Sequence, residues 1–244
     1  QIYDYLSDDR MIAIPQTTVW RMSMNSFGTE ENRDQYILDH PDVYINPNFV
    51  PEPILMYKEM RQAFYLGIDR DFSQQGLVTR YIPEHMLIPE TYFIDYYSGL
   101  SVRGTAVGKD VYDDFFFENY GYSPAYALQL FKHAVYMAIE DGYYVAGTEN
   151  DYQTIELMFT YSSSGNQYVQ AVVNNIVEQY ETIFVDDENY VNIDIIVHDI
   201  AFPSSYQEYN QTANTDLGLV GISGSILGPF NYLETFCDDN RSGF

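Results

Sequence analysis

Cysteine, basic residues and long apolar runs are all scarce in this chain of 244 residues. The one cysteine, Cys237, excludes an internal disulfide framework and a cysteine-based zinc site. Lys and Arg number 11 against 36 Asp and Glu, for a formal net charge of -25. Such a surface repels phosphate backbones, so no nucleic acid is expected as a partner. It also disfavours anionic membrane surfaces, and its plain reading is solubility. No stretch approaches the ~20 apolar residues of a membrane span. The opening residues, QIYDYLSDDR, carry neither a signal-peptide pattern nor a lipidation signal, which decides nothing about export because a leader can be removed. Internal repeats and low-complexity linkers are absent too.

Aromatic residues are plentiful, with 25 Tyr and 15 Phe. Most are expected in the core or at its rim, although tyrosine also suits sites that bind by stacking. The hydrophobic share of 46% is ordinary for a globular protein, and the chain is long enough to bury a sizeable core.

The first half reads as a strand within Met11 to Met24, interrupted by Pro15, and then a long proline-bearing surface loop from Gly28 to Pro53. Tyr57, Met60, Phe64, Gly67 and Ile68 fall on one helical face. Arg80 to Gly121 reads as irregular. Ser123 followed by Pro124 predicts a helix start, an apolar stripe follows from Ala127 to Ile139, and Gly142 is a natural stop. TIELMFTY (Thr154 to Tyr161) alternates as a strand does. Val169 to Tyr180 is again an amphipathic helix, and VNIDIIV (Val191 to Val197) a second strand. A short helix around Ser204 to Gln211 leads to a third strand after Asp216, and a helix is expected from Pro229 to Phe236. Helices and strands thus alternate, which argues for an α/β layer with largely parallel strands, three of them in one sheet. In open sheets of this type ligands sit beyond the carboxyl ends of the strands. That rule points to the small-residue tract Gly221 to Gly228.

Signals for chemistry are poor. GISGS, Gly221 to Ser225, departs from a nucleophile elbow at its fifth position, and no histidine partner can be assigned. The glycine spacing is not a dinucleotide fingerprint, and no Walker lysine follows. His40, His85, His133 and His198 are scattered, with no metal-ligand spacing. DDEN, Asp186 to Asn189, lacks the pattern of a calcium loop and reads as a solvated helix-to-strand connection. No catalytic residue, metal or cofactor is therefore expected.

Four blocks, taken in order, carry a resemblance. EMRQAFYLGIDRDF (Glu59 to Phe72), YSPAYALQLFKHAVYMAIEDG (Tyr122 to Gly142), the stretch from Thr154 to Phe184, and DLGLVGISGSILGPFNYLETFCDDN (from Asp216) resemble successive segments of the oligopeptide- and dipeptide-binding proteins of ABC transporters, extracellular solute-binding protein family 5. The resemblance covers most of the chain from about Met11. It implies a type II periplasmic-binding-protein-like α/β fold, a mixed sheet flanked by helices, with residues 1–244 as a single lobe and an N-terminal lobe missing. It also implies a bacterial, extracytoplasmic component, periplasmic or a surface-anchored lipoprotein, with no enzymatic activity. That component binds a peptide or other small solute between two lobes and delivers it to a membrane permease.

On the same ground Arg61, Asp69 and Arg70 read as scaffold, and Trp20 lies on a strand that runs along the cleft. Peptide binders of the family have Trp at the position of Ile222 and, at that of Ser225, an Asp that pairs with the peptide's ammonium. A serine offers only a neutral hydroxyl, and a charge-assisted hydrogen bond is roughly twice as strong. The ligand-binding candidates are Trp20, Ile222, Ser223, Gly224 and Ser225. Two rivals stand beside this reading: a non-transport sensor or adhesin on the same fold, and a hydrolase using acidic residues.

Overall fold

Alternation of apolar and polar residues builds the centre of the molecule. The structure, a computed structural model, describes residues 16–72, 74–77, 81–114, 118–224 and 232. Strand β1 (Val19–Met24) opens it, followed by helices α1 (Glu30–Asp39) and α2 (Lys58–Leu66). A small hairpin, β2 (Phe93–Asp95) and β3 (Leu100–Ser101), precedes α3 (Ala106–Asp114) and the long α4 (Pro124–Glu140). Then come β4 (Gln153–Tyr161), α5 (Gln167–Ile183), β5 (Val185–Asp186), β6 (Val191–Asp199) and β7 (Leu217–Ile222).

Among the described residues the main sheet has five strands, in the order β1-β7-β4-β6-β5. β4 runs parallel to β6 along its whole length, from Gln153↔Val191 to Tyr161↔Asp199, and parallel to β7 at Phe159↔Leu217 and Thr160↔Gly218. The two outer strands, β1 and β5, are antiparallel to their neighbours. The three strands expected to share a sheet do share one. Ile155, Leu157, Phe159 and Tyr161 of β4 and Val191, Ile193 and Ile195 of β6 point into one core with α2, α4 and α5. Within it Tyr180 donates its hydroxyl to the Phe64 carbonyl at 2.9 Å, so the buried phenol is satisfied.

Helix α4 shows how the sequence specifies its own ends. Pro124 stands at the first helical position, where its missing N–H costs nothing. Gly142 has φ of +82°, its N–H donates to Ile139 O, and the Tyr143 N–H donates to Ala138 O. That pair of bonds is a Schellman stop. Ser123 does hold the cap position, but its side chain makes no capping hydrogen bond.

Three expectations need correction. The stretch from Gly28 to Pro53 is not all loop, because it holds α1. There the Thr29 side chain accepts from Asn32 N at 3.1 Å and Glu30 and Glu31 lie in the first turn, a favourable placement for acidic groups. Only Arg33 of α1 is buried, so no apolar stripe announces the helix. The region from Arg80 to Gly121 is not simply irregular either, since it contains the β2–β3 hairpin and α3. Asp186 is buried rather than solvated, and its carboxylate accepts from Glu188 N, Asn189 N and Asn189 Nδ2. The short helix before β7 is a π-helical turn, Ser205–Asn210. Of the helix expected from Pro229 to Phe236, all but Tyr232 lies outside the described residues.

Candidate functional site

β7 outruns its parallel neighbour. Its pairing with β4 ends at Gly218, while the antiparallel pairing with β1 continues to Val19↔Ile222. A two-stranded ribbon therefore projects beyond the carboxyl end of β4, the side where open α/β sheets place their ligands.

Register decides which side chains the ribbon shows. Met24↔Leu217 and Met22↔Leu219 share a face and pack on the main core. The next pair on that face is Trp20↔Gly221, past the end of the core. Trp20 is 44% exposed, with an edge-on contact to Tyr81 at 6.0 Å between ring centroids. Gly221 lets Thr18 and the indole lie close over its backbone; a Cβ there would sit 3.1 Å from Thr18 Cγ2 and 3.5 Å from Trp20 Cε2. The result is an accessible indole on a glycine-floored ribbon end, able to stack on apolar, aromatic or cationic groups.

The other face is closed. Ile222 is buried with Tyr92 and Tyr232 in a second small core, with Ile88 and Val102 beside it. The Ile222 side chain thus faces protein, and only its backbone is available to the ribbon end. Ser223 is exposed and Gly224 half-buried. The Gly224 N–H donates to Tyr92 Oη at 2.7 Å, and that hydroxyl donates to the Thr17 carbonyl at 3.1 Å. Ser225 lies outside the described residues. The structure therefore brings Trp20, Ser223 and Gly224 to one end of the ribbon, and turns Ile222 inward. Arg61 and Arg70 bind backbone carbonyls: Leu55 and Met56 for the first, Tyr65, Ile68 and Tyr120 for the second. They are scaffold.

Carboxylates at both ends of the sheet are candidate anchors for a cationic group, and all are engaged by protein partners. Asp199, at the carboxyl end of β6, accepts from Ser163 N (2.8 Å), Ser163 Oγ (2.5 Å) and Gln170 Nε2 (3.2 Å). Desolvation pushes its carboxyl up, but these bonds and one from Tyr161 outweigh it and hold the group below the ordinary range. Asp216 lies at the other end of β7, where its carboxylate accepts from Met158 N and Glu52 N, each at 3.0 Å. Burial drives the Asp216 carboxyl up to about 6. Burial also raises Glu52, against the hydrogen bond from Tyr144 Oη. Sequence patterns gave no hint of either network, because the partners lie far apart in the chain. Among the described residues no group of His, Cys, Asp and Glu converges as a metal would require. No helix among them is long and apolar enough to cross a membrane.

No family model matches the sequence, and no curated relative does either. Solved structures do match. Listeria monocytogenes OppA bound to peptide aligns over 97% of this chain at 14% identity and a TM-score of 0.61. The substrate-binding domain of an oligopeptide ABC transporter from Bacillus anthracis aligns over 92%, at 13% identity and a TM-score of 0.59. The periplasmic murein tripeptide binding protein MppA, in its unliganded open form, aligns over 97% at 12% identity and a TM-score of 0.56. The chain spans about a third of the length of these structures (36%, 33% and 35%). The fold is therefore that of part of an oligopeptide-type ABC substrate-binding protein.

Proposed function

We propose that this chain is a ligand-binding lobe of a larger, two-lobed extracytoplasmic solute-binding protein, which captures a peptide or other small solute and presents it to the permease of an ABC importer. The observation that carries the proposal is the fold match to a peptide-bound protein over nearly the whole chain. The half-exposed Trp20 beside Ser223 and Gly224, beyond the carboxyl ends of the parallel strands, supports it. The lobe performs no chemistry. Closure of a second lobe over the ribbon would bury the solute, as hinge-closing binding proteins do. Where the ligand is a peptide, the half-exposed indole supplies a stacking surface for a side chain.

The test is mass spectrometry of small molecules released on denaturing full-length protein purified under mild conditions. A stoichiometric peptide or other small solute is expected. Its absence, together with turnover of a peptide or glycoside, would favour a hydrolase instead. The 244-residue chain alone is expected to bind weakly or not at all, because a cleft ligand is normally covered on most of its surface and one wall is lacking. Calorimetry showing submicromolar affinity with this chain would contradict the two-lobe reading.

A further inference from the structure

We infer that Tyr92 is a positioning residue of this ligand site, a phenol inserted as the last rung of the β1–β7 ladder that sets where Ser223 and Gly224 stand. The inference rests on the solute-binding reading of the ribbon. Antiparallel ladders alternate between pairs that exchange hydrogen bonds and pairs that do not. The Asn25 N–H donates to Asp216 O at 2.8 Å, which fixes the phase of this ladder. The hydrogen-bonding positions are then Ser23↔Gly218, Arg21↔Val220 and Val19↔Ile222. Continued by one step, the same phase pairs Thr17 with Gly224, and the Gly224 N–H would donate directly to the Thr17 carbonyl. The structure has a hydroxyl between them. Tyr92 Oη accepts from Gly224 N at 2.7 Å and donates to Thr17 O at 3.1 Å, so two bonds in series replace one. The strands are held apart at this point by the thickness of an oxygen atom.

The phenol is itself rigidly placed. Tyr92 is fully buried, packs on Ile222 and lies 4.7 Å from the Tyr232 ring centroid. Its carbonyl accepts from Val102 N at 2.8 Å, which ties it to the start of the turn after β3. Buried donors and acceptors are costly to leave unmade, so the hydroxyl has a definite task that a phenylalanine could not perform. That task is to keep Gly224, and with it the exposed Ser223, away from β1 at the ribbon end that carries Trp20.

Tyr92→Phe tests this, because it removes one oxygen and keeps the ring. Tyr232→Phe is the control: its hydroxyl donates to Leu87 O in the same small core and is no part of the bridge from Gly224 to Thr17, while the ring that packs on Ile222 is kept. In the 244-residue chain, without ligand, Tyr92→Phe should shift the Gly224 amide resonance and the Trp20 emission, while Tyr232→Phe should leave Gly224 in place. If Tyr92→Phe moves neither signal in a folded protein, or both variants move Gly224 alike, the inserted rung is wrong. In the full-length protein, titrated with synthetic tri- to pentapeptides, Tyr92→Phe should weaken binding by about tenfold, the equivalent of one to two lost hydrogen bonds. Tyr232→Phe should change it less than about twofold. Equal affinities for the Tyr92→Phe variant and the unchanged protein would overturn the positioning role. If the unchanged protein binds none of these peptides, peptide binding fails and Tyr92 is judged on the ligand-free signals alone.

Discussion

Gly218→Ala is expected to be the most damaging single-methyl change in β7, costing about 3 kcal/mol of stability. A Cβ at Gly218 would stand 1.7 Å from Asn210 Oδ1 and 2.7 Å from Ser23 Oγ. The backbone cannot yield easily, because Gly218 is paired on both sides, with Ser23 and with Thr160. Asn210 would have to leave instead. That breaks the bond from Ser23 Oγ to Asn210 Oδ1 (2.9 Å), which fastens the π-helical turn to β1, and the bond from Asn210 Nδ2 to Ser205 O (2.7 Å), which closes the turn on itself. Overpacking costs roughly 1–3 kcal/mol and each lost bond about 1 kcal/mol, with partial relief between them. In a protein of this size the melting temperature should fall by about 6–12 °C. Removing the obstacle with Asn210→Ala should recover part of the loss in the double variant, since neighbouring changes do not add. A Gly218→Ala variant that melts with the parent would show that the turn does not pack on β7 as described.

The second large effect is a gain in stability on mild acidification. Burial, above all, pushes the Asp216 carboxyl in the folded protein up to about 6, from an ordinary value of 3.8. A folded-state pKa above the unfolded one gives a contribution that is complete below about 4 and is lost as the pH rises through about 6. The difference corresponds to roughly 3 kcal/mol, and Glu52, raised in the same direction, adds to it. Acidification also relieves self-repulsion in a chain of formal charge -25. Asp199 acts in the opposite sense: held low, it loses its contribution only as the pH falls below the ordinary carboxylate range. Thermal melts should therefore show a higher midpoint near pH 5 than near pH 7, with a decline at stronger acid. In Asp216→Asn the rise should flatten, because the titrating group is gone. At pH 5 that variant should also be the less stable, because its amide meets one of the two backbone N–H groups with a donor. A midpoint that falls steadily from pH 7 to pH 5, or an unchanged slope in the variant, would refute the assignment.

Much of the α/β layer was legible because its signals are local. Pro124 and Gly142 bracket α4, and the alternation from Ile155 to Tyr161 marks β4. α1 was hidden because its apolar residues, Tyr36, Ile37 and Leu38, stand consecutively and make no stripe, and only Thr29, Glu30 and Glu31 mark its start. α3 was hidden because a glycine, Gly108, sits in its first turn; the Thr105 hydroxyl that accepts from Gly108 N at 3.0 Å was the usable sign. At the site, the tract after Gly221 and the strand bearing Trp20 could be picked out from the sequence. The burial of Ile222 and the role of Tyr92 could not. Both depend on contacts between Thr17, Tyr92 and Gly224, segments that no local pattern relates.

The most direct test of solute binding uses the one tryptophan of this chain. Full-length protein is titrated with the tri- to pentapeptides, and the emission of its Trp20→Phe variant is subtracted, so that the difference reports Trp20 alone. A saturable change in that difference is expected for at least one peptide, with weaker binding in the variant. A difference signal that stays flat across every peptide, in protein shown to be folded, would contradict a peptide site at the end of the ribbon.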